Sequence, residues 1–86
     1  MKTYSENRTL IINALVGIKA FQPEAAAEWI ANADRDVELA SLGIDSMAVI
    51  DLCMDIEKYT GREVLIDELV DNPTLNKLAK HLSERG

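Results

Sequence analysis

Few residues in this chain of 86 invite a chemical role, and one serine stands out among them. Ser46 lies where a loop enters an apolar helix, within Leu42-Gly43-Ile44-Asp45-Ser46-Met47. Three roles are open to it. As a nucleophile it would need a base within hydrogen-bond reach and an oxyanion hole. The one histidine, His81, falls near the C-terminus on the polar side of its helix, and no Gly-x-Ser-x-Gly elbow surrounds the serine. Self-contained catalysis is therefore disfavoured. As a helix cap, either Asp45 or Ser46 can accept a bond from an orphan backbone N–H. Capping accounts for those two residues but not for the apolar neighbours Met47, Ile50 and Met54. As a serine offered to another enzyme, the hydroxyl would be modified at a helix N-terminus. An attached phosphate is favoured there electrostatically by about 0.3–1 kcal/mol.

The helix that must position this serine runs from Ser46 to about Tyr59. At about 100° per residue, Val49, Leu52, Cys53 and Ile56 cluster on one side as a core stripe. Ala48, Asp51, Asp55 and Lys58 lie opposite, as a solvated face. Met47, Ile50 and Met54 form a third, apolar sector beside Ser46. One buried face suffices for a helix in so small a domain, so the second apolar stripe reads as a docking surface. Thr60-Gly61 closes the helix, glycine taking the left-handed position.

Upstream, Ser5 or Asn7 can cap a first helix reaching about Ala20, with Ile11, Ala14, Leu15 and Ile18 on its core stripe. Leu10, Ile12 and Val16 widen that stripe, which implies contact with more than one neighbour. Phe21-Gln22-Pro23 ends it, because the residue before proline avoids the helical region. The long connection from Pro23 to Leu42 can hold a short helix with Pro23 at its first position. Trp29 within it either seals the connection over the bundle or walls a ligand groove, and the burial habit of aromatics favours sealing. Downstream, Val64-Leu65-Ile66 reads as an apolar segment crossing the core, and Asp67 to Asp71 as about one helical turn. Asn72-Pro73 then opens the last helix as cap and first residue. Leu75, Leu78, Ala79 and Leu82 supply its core stripe. The whole predicts an all-α fold, a small four-helix bundle of three main helices and one short one.

Composition narrows the function. Fifteen acidic and nine basic residues give a formal charge of −6, which repels nucleic acid and favours partners with basic docking patches. Hydrophobic residues make up 48% and aromatics 5%, so the core is aliphatic. The lone cysteine, Cys53, builds no intramolecular disulfide, in keeping with a cytoplasmic location. No segment approaches a membrane span, Met1 to Arg8 holds no apolar signal core, and no self-association surface is evident, so a monomer without membrane insertion is expected.

Gly43-Ile44-Asp45-Ser46-Met47 resembles the Gly-x-Asp-Ser-Leu/Met attachment motif of the acyl carrier and peptidyl carrier protein family. The likeness extends to the amphipathic first helix, the long connection, the Leu52 to Ile56 pattern, Thr60-Gly61 and Asn72-Pro73-Thr74-Leu75. It spans about residues 8 to 83 of a single carrier domain, 1–86. The resemblance implies that Ser46 carries 4′-phosphopantetheine, donated by coenzyme A through a phosphopantetheinyl transferase. The arm's thiol would hold cargo as a thioester, leaving Cys53 a small core residue. Asp45 would help position the transferase's magnesium. Met47, Ile50 and Met54 would form the partner-recognition face, with acidic contacts from Asp51 and Asp55. Ala48, two places after the serine, departs from fatty-acid carriers, which usually have an acidic residue there. The resemblance therefore points to a discrete carrier in a specialised polyketide, peptide or acyl pathway. Next come an aminoacyl or D-alanyl carrier and a housekeeping fatty-acid carrier. Its partners would be loading ligases or synthases and acyltransferases, with catalysis left to them. Outside the carrier class, a helical module binding a partner helix is the rival.

Overall fold

The computed structural model describes residues 3–85; Met1, Lys2 and Gly86, the ends of the expected domain, lie outside the described residues. Among the described residues five α-helices follow in order: α1 Tyr4–Gly17, α2 Pro23–Ala31, α3 Ser46–Thr60, α4 Ile66–Asp71 and α5 Leu75–Arg85. A 3-10 turn, Leu39–Leu42, precedes α3. The expected all-α bundle is present, with α1, α3 and α5 as its long members and α2 as the short helix of the connection.

α1 packs most extensively on α5 and also touches α2 and α3. This triple contact is why its buried arc is broad: Leu10, Ile11, Ile12, Ala14 and Leu15 all lie inside. They meet Leu52, Cys53 and Ile56 of α3 and Leu75, Leu78 and Ala79 of α5 in one aliphatic cluster. Trp29 lies half-buried against that cluster, its ring centroid 5.4 Å from Phe21 and 4.4 Å from the Arg35 guanidinium.

Several boundaries differ from expectation, each through a hydrogen bond. α1 begins earlier than Ser5 or Asn7 would set it. Thr3 Oγ1 accepts from the Glu6 backbone N–H (3.2 Å), and Glu6 Oε1 accepts from the Thr3 N–H (3.1 Å), a reciprocal capping box. It also ends sooner than Ala20. Lys19 turns left-handed at φ 65°, and the N–H groups of Ala20 and Lys19 fold back onto the carbonyls of Leu15 and Val16. That pair of bonds is a Schellman closure, and it acts before Pro23 can.

The last helix opens at Leu75 rather than Pro73. Thr74 Oγ1 accepts from the Lys77 N–H at 3.1 Å, while Asn72 closes α4 instead, its N–H on the Glu68 carbonyl. Pro73 is held out of the helix because its carbonyl accepts from the Leu39 N–H, and the Leu75 N–H returns to Val37. These two bonds form an isolated antiparallel bridge, Glu38 with Thr74, that fastens the long connection to the start of α5. Asp36 strengthens the same junction, its Oδ1 accepting from the Asn76 N–H at 2.9 Å.

Gly61 ends α3 at φ 73°, with nothing within 4 Å of where a Cβ would stand. Gly61→Ala therefore meets no clash and should cost only backbone strain, about 1–2 kcal/mol. A lowered urea midpoint with an unchanged slope would show it. A neutral result would place Gly61 outside the left-handed region.

Candidate functional site

The approach to Ser46 is built from local rules. The 3-10 turn closes on Gly43 at φ 72°, a left-handed conformation that glycine adopts without strain. Leu42 and Ile44 on either side are half-buried against the core and pin the loop. Asp45 then runs extended, and its Oδ1 accepts from the Ala48 backbone N–H at 2.8 Å. Of the two candidate caps, the structure uses Asp45. Ser46 is the first residue of α3, exposed, with its hydroxyl released from the capping duty. The unsatisfied N–H groups of the first turn make this the positive end of the helix.

The core stripe and the outward sector read for α3 are those observed, whereas Ala48, expected on the solvated face, is half-buried. Leu52, Cys53 and Ile56 are buried and Val49 is half-buried. Met47, Ile50 and Met54 are 72%, 44% and 61% exposed, so the third sector does face outward. Asp51 is exposed beside them. Asp55 is placed differently: it is half-buried, with its Oδ2 about 3.4 Å from the Cβ position of Gly17 in α1. It belongs to the flank turned toward α1, not to the Met47, Ile50 and Met54 sector.

Two further apolar side chains join that sector, Leu65 and Ile66, 52% and 48% exposed; Val70, 69% exposed, lies farther along α4 on a cleft shared with Ile44 and Val49. The triplet Val64-Leu65-Ile66 does not cross the core as expected; Val64 alone is buried, and the other two lead out into α4. Ile50, Met54, Leu65 and Ile66 together border a cleft of about 420 Å³ between α3 and α4, reached by Cys53. Burial raises the Cys53 thiol above its ordinary range, and the Glu68 carboxylate pushes the same way. A protonated, enclosed thiol is a poor nucleophile.

The one imidazole is engaged elsewhere than at Ser46. His81 Nε2 meets Glu68 Oε1 at 2.8 Å, half-buried between α5 and α4 rather than on an open polar side. Among the described residues no group of three or more His, Cys, Asp or Glu side chains could hold a metal ion. No helix among them is long and apolar enough to cross a membrane.

Ile50 gives a direct test of the outward sector. Ile50→Glu should shift stability by less than about 1 kcal/mol, because the side chain is partly solvated already. It should slow any enzyme that docks across α3 and α4. A large fall in the thermal midpoint would instead place Ile50 in the core.

Residues 24–82 match the model of a family described as "phosphopantetheine attachment site". The chain is 42% identical over 41 residues to nonribosomal peptide synthetase 2 of Gibberella zeae. That alignment covers 48% of this chain and 1% of the synthetase. No solved structure gives a significant match.

Proposed function

Because the chain belongs to the phosphopantetheine attachment-site family, whose carrier domains bear a covalent 4′-phosphopantetheine, we propose that Ser46 is the attachment residue. One observation carries this reading. Within the matched span, an exposed serine opens a helix whose capping bond is made by its neighbour. The hydroxyl is thus free to be presented to a transferase. In the modification its oxygen would form a bond to the phosphorus of the pantetheine phosphate of coenzyme A. The bond from that phosphorus to the departing nucleotide breaks, and the hydroxyl proton passes to a base of the transferase. The new phosphodiester would sit at the positive end of α3, where its charge is favoured. Asp45, fixed by its bond to the Ala48 N–H, would present its carboxylate beside the reacting oxygen and help hold the transferase's magnesium.

When bound, the arm supplies a terminal thiol that carries cargo as a thioester. This chain's own contribution is to anchor the arm and to be recognised. Met47, Ile50 and Met54 would form the recognition face, widened by Leu65, Ile66 and Val70, with Asp51 at its edge and Asp55 on the α1 flank. Loading ligases or synthases and acyltransferases would dock there and perform the chemistry. The identity to a nonribosomal peptide synthetase supports a specialised peptide, polyketide or acyl pathway. Of the remaining alternatives it favours an aminoacyl carrier over housekeeping fatty-acid synthesis. Intact-protein mass spectrometry after incubation with coenzyme A and a broad-specificity phosphopantetheinyl transferase tests the reading. A carrier gains a single arm; a plain helical interaction module gains none.

A further inference from the structure

We infer that His81, through Glu68, is a positioning residue that sets α4 in the docking face; the functional half of this inference rests on the carrier reading above. α4 is six residues long, well below the length at which a helix holds itself in water. Leu69 is its only buried side chain, while Ile66 and Val70 point largely to solvent. Yet α4 shapes much of the outward surface. Ile66 borders both the 420 Å³ cleft beside Ile50 and Met54 and a second, apolar cleft of about 270 Å³ beside Ile44, Val49 and Val70. An element with so little apolar anchorage needs another reason to stay in register.

Glu68 supplies that reason. Its Oε2 accepts from the Leu65 backbone N–H at 2.7 Å and so fixes the entry to α4. Its backbone carbonyl accepts from the Asn72 N–H at 3.0 Å and Asn72 Nδ2 at 2.9 Å, and so fixes the exit. Its Oε1 lies 2.8 Å from His81 Nε2. A carboxylate only accepts, so the imidazole is the donor. The first bonds are internal to α4 and its ends; the last ties α4 to α5, which packs along α1 in the core. Both side chains are partly shielded, at 18% and 31% exposure, which gives the bond a lower dielectric than a surface pair has. His81 is therefore placed to decide how firmly Leu65, Ile66 and Val70 are presented, without belonging to the face itself.

The test uses the full chain and two variants. His81→Leu keeps the bulk and removes the donor; His81→Gln keeps an N–H donor in a similar place. His81→Leu should speed hydrogen exchange across residues 65–72 while the amides of α1, α3 and the rest of α5 keep their protection. As a substrate of the transferase it should show a KM raised about tenfold with kcat little changed, the signature of lost docking rather than lost chemistry. His81→Gln should restore both. Unchanged exchange in α4 overturns the tether, as does a loss of protection spread over the whole core, which would make His81 an ordinary packing residue. An unchanged KM in a chain with loosened α4 overturns the positioning role. Should the wild type gain no arm, the carrier reading falls, and the exchange result alone supports or overturns the tether.

Discussion

Ser46→Ala should abolish arm attachment completely while leaving the fold nearly as stable as before. The two halves of that result follow from the division of labour at the start of α3. The capping bond comes from Asp45 Oδ1, so deleting the Ser46 hydroxyl removes no cap. The side chain is exposed, so its loss opens no cavity. Stability should therefore change by less than about 0.5 kcal/mol, the range of surface substitutions away from special features. Modification is different in kind, because no other oxygen occupies that position. Asp45→Ala should lose on both counts: it keeps the hydroxyl but removes the cap, at about 0.5–2 kcal/mol, and it slows attachment by removing the carboxylate proposed to help hold the transferase's magnesium. Intact mass and a urea melt on the two variants check both readouts. An arm still added to Ser46→Ala would move the attachment point elsewhere. A large destabilisation would mean the hydroxyl has a structural partner.

The phase of α3 was legible because fifteen helical residues give period 3.6 room to declare itself. Leu52, Cys53 and Ile56 could be separated from Met47, Ile50 and Met54 without any contact being known. Val64-Leu65-Ile66 was not legible for the opposite reason. Three apolar residues in a row carry no period, and the run straddles the entry to a helix, where Val64 turns in and its two neighbours turn out. Other misses trace to non-local bonds. Asn72-Pro73 has the composition of a helix start, but the Pro73 carbonyl is claimed by Leu39, 34 positions upstream, and the helix waits for Thr74. Lys19 in the left-handed region stands where glycine would be expected, so the end of α1 left no compositional mark. Asp55 fell on the polar side by pattern, yet α1 passes close enough to claim that flank. Local chemistry and long periods survive translation into structure; a residue's obligations to distant backbone do not show in its neighbours.

Arg8 is the extreme instance, and its removal should be among the most destabilising changes available. The side chain is 3% exposed, unusual for a cation. Nη1 donates to the Trp29 carbonyl at 2.6 Å; Nη2 donates to the carbonyls of Asn32 at 3.1 Å and Arg35 at 2.5 Å; Nε donates to Asn76 Oδ1 at 2.8 Å. Two of these carbonyls, Trp29 and Asn32, lie at the end of α2, where backbone donors are scarce and each carbonyl has one N–H bond besides the guanidinium. A guanidinium there closes α2 from another helix and suits the negative end of its dipole. The same group reaches Arg35 in the connection and Asn76 in α5, so one side chain fastens three segments to α1. Arg8→Met keeps the stem and deletes the donors; the Trp29 and Asn32 carbonyls keep one backbone N–H each, while the Arg35 carbonyl and Asn76 Oδ1 are left to find water. The expected cost is about 3–5 kcal/mol, given that charge-assisted bonds and stranded acceptors each contribute a few kcal/mol. Arg8→Lys should recover only part of it, because one ammonium cannot reproduce the fork. Urea unfolding measures both, and a loss below about 1 kcal/mol for Arg8→Met would show the connection is held by Trp29 and the bridge at Thr74 instead. Below its unfolding transition Arg8→Met should still accept the arm at close to the wild-type rate. The guanidinium organises α2 and the connection, whereas the serine is presented by Gly43, Asp45 and the first turn of α3.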